Sequence, residues 1–216
     1  MSSSKVALVA GGTGLIGKLL VNILRRDDHY SKVKCLTRRP LGINDRKIEE
    51  IITDGSNLTE LGDQLKADDV FCCLGTTIKK AGTKEAFRKV DFEYPFLLAN
   101  ETKLQGARQY LLVSALGADP DSSIFYNKVK GELEREVSKA NFSSFHIFRP
   151  SLLLGQRNER RFGEDVGKIF FKWFGFMIPK KYRAIDARSV ARAMVHMAKL
   201  EINGKFIHES KELQKF

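Results

Sequence analysis

Val6-Ala-Leu-Val-Ala10-Gly-Gly-Thr-Gly-Leu-Ile-Gly17 decides how this chain folds. Five aliphatic residues run into a glycine cluster, and Leu15, Ile16, Leu19, Leu20, Ile23 and Leu24 follow at helical spacing. The run reads as a buried strand and the spacing as an amphipathic helix reaching about Arg26. Strand, glycine turn and helix in that order open a dinucleotide-binding unit. Gly11 allows the tight turn, Gly14 lets backbone approach a pyrophosphate, and Gly17 allows the helix to pack closely on the strand. Free amides around Thr13, Gly14, Leu15 and Ile16, at the positive end of the helix dipole, suit phosphate oxygens. No GK[ST] closes the motif, which excludes a triphosphate-binding P-loop.

Outward from that segment, strands and helices alternate. Strands are predicted at Lys32 to Thr37, Glu49 to Thr53, Val70 to Leu74, Tyr110 to Ser114 and Phe145 to Arg149. Helices are predicted at Lys84 to Leu104, Phe125 to Ala140 and Val190 to Lys199, with a last short strand at Phe206-Ile207. The alternation implies an α/β fold: a Rossmann-like, doubly wound parallel sheet with helices on both faces. The organisation expected is a single NAD(P)-binding domain over 1–216. Its dinucleotide-binding core is 1–150, and 151–216 is a dependent substrate-side or lid region.

The 216 residues are 43% hydrophobic and 29% charged, a globular balance that excludes wholesale disorder. No apolar run approaches the roughly 20 residues of a membrane span. The five apolar residues before Gly11 are too few for a secretory signal core, so a cytoplasmic location is expected. Cys35, Cys72 and Cys73 show no CxxC spacing, which indicates neither a disulfide framework nor a zinc site, and no metal is expected. The net charge of +11 includes +7 between Gln156 and Leu200, where eleven Lys/Arg meet four Asp/Glu. An anionic partner and a plain solvated face are equal readings of that excess.

Strand two bears on the choice of dinucleotide. An NAD site places an acid about 20 residues past the glycines, to accept from the ribose 2′-hydroxyl. Here Cys35-Leu-Thr-Arg-Arg39 has no acid until Asp45. Arg38 and Arg39 instead suit a 2′-phosphate, so NADP(H) is the expected cofactor; two solvated arginines are the alternative. Asp54, past strand three, either reaches the adenine edge or caps a turn before Gly55. Leu74, Gly75 and Thr76 put flexible backbone at the carboxyl edge of the sheet, where open α/β sheets bind ligands. The vicinal Cys72-Cys73 reads as packing.

Tyr126-Asn-Lys-Val-Lys130 has YxxxK spacing, and Tyr126, Val129, Lys130, Leu133 and Val137 share one helical face. A tyrosine hydroxyl ionises near pH 10 in isolation, and a nearby ammonium favours the phenolate. Tyr126 could then act as general acid or base on a carbonyl or alcohol, with Lys130 holding ribose hydroxyls. Ser114 stands at the end of strand five, where its hydroxyl could bond a carbonyl oxygen as charge develops. The alternative is a helix-start tyrosine, a surface lysine and a strand-end serine.

Together GGTGLIG, Arg38-Arg39, FCCLGTT, Ser114, YNKVKGELE and FHIFRPSLLLG resemble the atypical short-chain dehydrogenase/reductase family, in its Tat-interacting oxidoreductase-like branch. The resemblance implies a Rossmann-like fold, NADPH binding and a Ser–Tyr–Lys set at Ser114, Tyr126 and Lys130. It also implies that Leu74 and the stretch after Pro150 neighbour the cofactor. Many relatives carry an asparagine in the helix after strand four, completing a proton relay. The matching segment here reads Val90-Asp91-Phe92, so either Asp91 fills that place or the relay is absent.

Beyond Pro150, Arg157, Arg160 and Arg161 precede the aromatic run Ile169 to Ile178. An aromatic lid over a lipophilic or anionic small-molecule substrate and a dimer or core helix are equal readings. Membrane contact through 169–181 is a third, minor one. A homo-oligomer or protein partner stays open, and no nucleic-acid-binding motif is present. The expected activity is hydride transfer involving a small carbonyl or alcohol; the rival is an NADPH-binding regulatory or redox-sensing protein without turnover.

Overall fold

A computed structural model of the chain describes residues 4–154 and 183–216. The aromatic run, Arg157, Arg160 and Arg161 lie outside the described residues. Strand β1 (Lys5–Ala10) is an inner strand of a seven-stranded parallel sheet. To one side lie β2 (Tyr30–Thr37) and β3 (Ile48–Ile52). To the other lie β4 (Asp69–Cys72), β5 (Gln109–Val113), β6 (Ser144–Arg149) and β9 (Gly204–Glu209), giving the order β3-β2-β1-β4-β5-β6-β9. A two-stranded sheet pairs β7 (Leu153–Leu154) with β8 (Ile185–Asp186). The expected doubly wound parallel sheet is therefore present.

Both faces of the sheet are covered, which explains why β1 is aliphatic throughout rather than alternating. Ala7 and Val9 face helices α1 (Leu15–Leu24) and α6 (Ala187–Leu200). Leu8 and Ala10 face α4 (Tyr94–Leu104) and α5 (Phe125–Ser138). The strand order reverses between β1 and β4, so the loops leaving them diverge and open a crevice at the carboxyl edge.

Two departures from the predicted elements matter. Between β3 and β4 the chain makes two 3-10 turns, Leu58–Glu60 and Gly62–Leu65, which bury Leu58 and Leu65. The single long helix predicted from Lys84 to Leu104 is three pieces: α3 (Lys84–Arg88), a π-helical turn Lys89–Glu93, and α4. A short α2 (Ile78–Ala81) precedes them. Pro95 stands in the first turn of α4, where a missing N–H costs nothing, so α4 starts there. The wider π turn ahead of it carries Asp91 into the interior, where it is fully buried. The last helix, α7 (Ser210–Leu213), follows β9.

Candidate functional site

The glycine loop lies at the carboxyl edge of β1, and its glycines are required for different reasons. Gly11 has φ +84°, and a Cβ there would sit 2.6 Å from the Cys73 carbonyl oxygen after β4. A Cβ on Gly17 would sit 2.1 Å from the Gly11 carbonyl oxygen, so only glycine lets α1 approach the turn. Gly14 differs: φ is −75° and its Cβ would meet only the Gly11 oxygen, at 3.2 Å. A side chain at Gly14 would press on that oxygen only slightly, far less than one at Gly11 or Gly17, so its bareness also leaves space for a ligand. Thr13 and Gly14 are exposed, Leu15 is half-buried, and Ile16 and Gly17 face the core. Gly14 caps α1 without a side-chain hydrogen bond and no acid occupies its first turn, leaving the helix amides for an anion. The residues here therefore fit the pyrophosphate of a dinucleotide.

Arg38 and Arg39 follow β2 directly, are exposed, and form no ion pair with a described residue. Asp54 takes the turn-capping reading: its Oδ1 accepts from the Ser56 N–H at 2.8 Å and from the Ser56 hydroxyl. Those bonds hold its carboxyl below the usual range. Leu74 and Thr76 are half-buried and Gly75 exposed, in the loop after β4. Cys72 and Cys73 are free, and burial pushes both thiols up.

Helix α5 supplies the rest. Tyr126, Lys130 and Glu134 are spaced one turn apart and share a face. Tyr126 is half-buried and packs on the Phe87 ring of α3, centroids 5.7 Å apart. Lys130 is 3% exposed, and its Nζ lies 2.8 Å from Asp91 Oδ1, an ion pair with both side chains inside the protein. That Oδ1 has no well-aligned hydrogen bond, whereas Oδ2 accepts from the Thr76 N–H at 2.7 Å. Burial works against the Lys130 ammonium, but Asp91 and the nearby Tyr126 outweigh it and hold its pKa above the ordinary lysine value. Asp91 thus sets its carboxylate between the Thr76 N–H and the lysine.

Ser114 goes elsewhere. It is 5% exposed, and its hydroxyl donates to Glu134 Oε1 at 2.5 Å. Glu134 also accepts from Arg149 Nε at 3.0 Å and Nη2 at 2.5 Å. A hydroxyl has one proton, so Ser114 has none left for a substrate carbonyl in this arrangement. The structure brings Tyr126, Lys130, Gly75 and Thr76 to one corner and ties Ser114 to Glu134, two turns along α5 from Tyr126. Glu134 was legible only as an acid on the buried face of α5. Gly131 was also missed: a Cβ there would come within 2.2 Å of the Asp119 and Pro120 backbone, so glycine lets the loop after β5 lie on α5.

Comparison with known proteins shows the family and the fold. A model of the NAD dependent epimerase/dehydratase family matches residues 7–175. Protein HTATIP2 of Rattus norvegicus is 34% identical over 197 residues, spanning 89% of this chain and 81% of that protein. Protein FMP52, mitochondrial, of Candida albicans is 32% identical over 206 residues, spanning 91% and 89%. The resemblance to atypical short-chain dehydrogenases holds on these relatives. Among solved structures, MoeE5 in complex with UDP-glucose and NAD superposes with a TM-score of 0.71 at 18% identity, over 93% of this chain and 74% of that one. The Bordetella bronchiseptica enzyme WbmH in complex with NAD+ gives 0.70 at 16% identity, over 94% and 75%. The expected cytoplasmic location is corrected by the FMP52 relatives, which are mitochondrial by name in several yeasts and fungi. The short apolar run behind that expectation is strand β1 itself, so it speaks of the sheet and not of a compartment.

Proposed function

The chain belongs to the NAD dependent epimerase/dehydratase family, and on that premise we propose that it is an NADP(H)-binding oxidoreductase acting on a small carbonyl or alcohol, with Tyr126 as acid and base. One observation carries this reading: a glycine cradle left open at Gly14 shares a sheet edge with the start of α5, where Tyr126 stands one turn from buried Lys130. The bound nicotinamide would supply or accept the hydride. Tyr126 donates its phenol proton to the carbonyl oxygen in reduction and takes a proton from the alcohol in oxidation. Lys130 holds the ribose hydroxyls, and its ammonium taken by itself would favour the phenolate. Arg38, assisted by Arg39, grips the 2′-phosphate; their exposure and lack of a described partner support that role. The glycine loop, Leu74, Gly75 and Thr76 line the cofactor's path. Asp54 is left to its turn. We take 1–216 as one domain, in which α6 and β9 belong to the central core and sheet rather than to a substrate-side region, and carry over a mitochondrial setting from the FMP52 relatives.

A second reading, an NADP(H)-dependent regulatory or redox-sensing protein without turnover, is favoured by one observation: the Ser114 proton is committed to Glu134. The two are separated by titrating the protein with NADPH and NADH, then screening aldehydes, ketones and alcohols for turnover. NADPH is expected to bind more tightly. Y126F is expected to keep that affinity and lose about 100-fold or more in turnover, the range of general acid catalysis. A substrate turned over equally by Y126F would refute the tyrosine mechanism. Tight NADPH binding with no turnover of any compound establishes the regulatory reading instead.

A further inference from the structure

Asp91 performs two tasks that need different properties. Its Oδ2 accepts the Thr76 N–H at 2.7 Å, which an amide oxygen could do equally well. Its Oδ1 stands 2.8 Å from the Lys130 ammonium, where only a carboxylate supplies an opposite charge. Gly75 roofs the pair: a Cβ there would lie 3.4 Å from Asp91 Oδ1 and 3.7 Å from Lys130 Nζ. Solvent is accordingly shut out, and Asp91 and Lys130 are 0% and 3% exposed.

The other charged and titratable groups around this corner are already occupied. Glu134 on α5 is taken by Ser114 and Arg149. Glu132, also on α5, is paired with Arg88 of α3 at 2.5 Å. From β4 comes the Cys72 thiol, which burial keeps protonated. Against Tyr126, α3 presents the Phe87 ring and no charge. Among the described residues, Asp91 alone forms an ion pair with Lys130.

We propose that Asp91 is a positioning residue that pins Lys130 beneath the loop after β4 and cancels its charge as felt by Tyr126. This rests on the reading of Tyr126 and Lys130 as the reacting pair. The ammonium is held in place, but the phenol one turn away faces a neutral pair rather than a bare cation. Asp91 thereby keeps Tyr126 in its proton-donating form over a wider pH range than an unpaired lysine would. The same carboxylate makes the position of the loop after β4 depend on the charge state of α5.

D91N tests this in the full chain, because asparagine keeps the shape and the Thr76 bond and removes the charge. Ionisation of Tyr126 is followed by phenolate absorbance, as the difference from Y126F in the same background, with no cofactor or substrate added. The Tyr126 midpoint is expected to fall by about one pH unit or more when the compensating charge is lost. If Lys130 sheds its proton instead, the 15N resonance of its Nζ takes the neutral-amine position at neutral pH, where the parent shows the ammonium. Either result supports the proposal. A folded D91N with an unmoved Tyr126 midpoint and a Lys130 that is still an ammonium overturns it. Should D91N fail to fold, the double variant D91N/K130M removes both charges. It should recover much of the thermal stability that either single change loses and return Tyr126 close to its parent midpoint; a double variant no more stable than D91N also overturns the proposal. A protein with no turnover would sink the oxidoreductase reading and leave these titrations readable.

Discussion

The glycine loop and the α5 corner occupy the same sheet edge, yet they are built on opposite principles. At the loop, capacity comes from backbone, in three glycines and a helix end without a side-chain cap, and from two exposed arginines without a described ion-pair partner. At α5, capacity comes from side chains that are buried and neutralised in pairs, Lys130 with Asp91 and Arg149 with Glu134. Exposed charge at the loop costs little to keep and is available to a ligand. Buried charge at α5 is costly unless paired, so each cation there brings its own acid. The first region leaves its polar groups open to a ligand, and the second satisfies its own charges.

The largest effect that would break this contrast is on stability. K130M leaves Asp91 buried and unpaired, and is expected to cost about 3–5 kcal/mol. R38A touches a solvated side chain and should stay within about 0.5 kcal/mol. Urea unfolding of both variants checks this; equal losses would mean the two regions do not differ as described. R38A should instead weaken NADPH about 10- to 150-fold more than NADH, the worth of one charged hydrogen bond.

Within the loop, G17A and G14V sharpen the distinction between fold and ligand. A Cβ on Gly17 collides with Gly11 backbone, so G17A should lose about 3 kcal/mol or more. G14V should stay folded with a smaller loss of stability than G17A and abolish dinucleotide binding in calorimetric titration, because its side chain fills the open cradle. A G14V protein with parent affinity for NADPH would remove the loop from that role.

The smallest expected effect comes from a third region, at the β9 edge. Ser144 Oγ, His146 and His208 form a chain of contacts, with 2.9 Å from Oγ to His146 Nε2 and 2.9 Å from His146 Nδ1 to His208 Nε2. Burial, then the neighbouring His208, lowers His146 from 6.5 to about 4, and burial lowers His208 despite Glu212. Unfolded histidines take up protons near pH 6.5 and these folded ones do not. Their contribution to stability is therefore complete above about pH 6.5 and falls as pH drops toward 4. His146 alone should account for about 2 kcal/mol lost by pH 5. Urea midpoints from pH 8 to 5 measure it, and H146F should flatten the slope.

Much of the fold was legible because it follows from local chemistry. An aliphatic run before GGTGLIG can only be a covered strand feeding a helix, and the later strands follow at intervals that suit helical crossovers. The helix predicted from Lys84 to Leu104 is helical throughout, but its interruption was missed, because a π turn leaves no mark on apolar spacing beyond Pro95 two residues after it. The site was legible in part. Tyr126 and Lys130 share a helical face by spacing alone, whereas the partners of Lys130 and Ser114 lie 39 and 20 residues away along the chain.

By itself, the sequence determined the parallel sheet, the need for glycine at Gly11 and Gly17, and the lack of an acid after β2. Each is a property of neighbouring residues, fixed by backbone sterics or by side-chain spacing along one element. Only the tertiary structure decided which acid meets which base. Asp91 could have been a solvated helix residue, and Ser114 a free donor. Folding brought α5 against the π turn and the end of β5, and a low-dielectric interior then forced each charge and each polar proton there to take a partner.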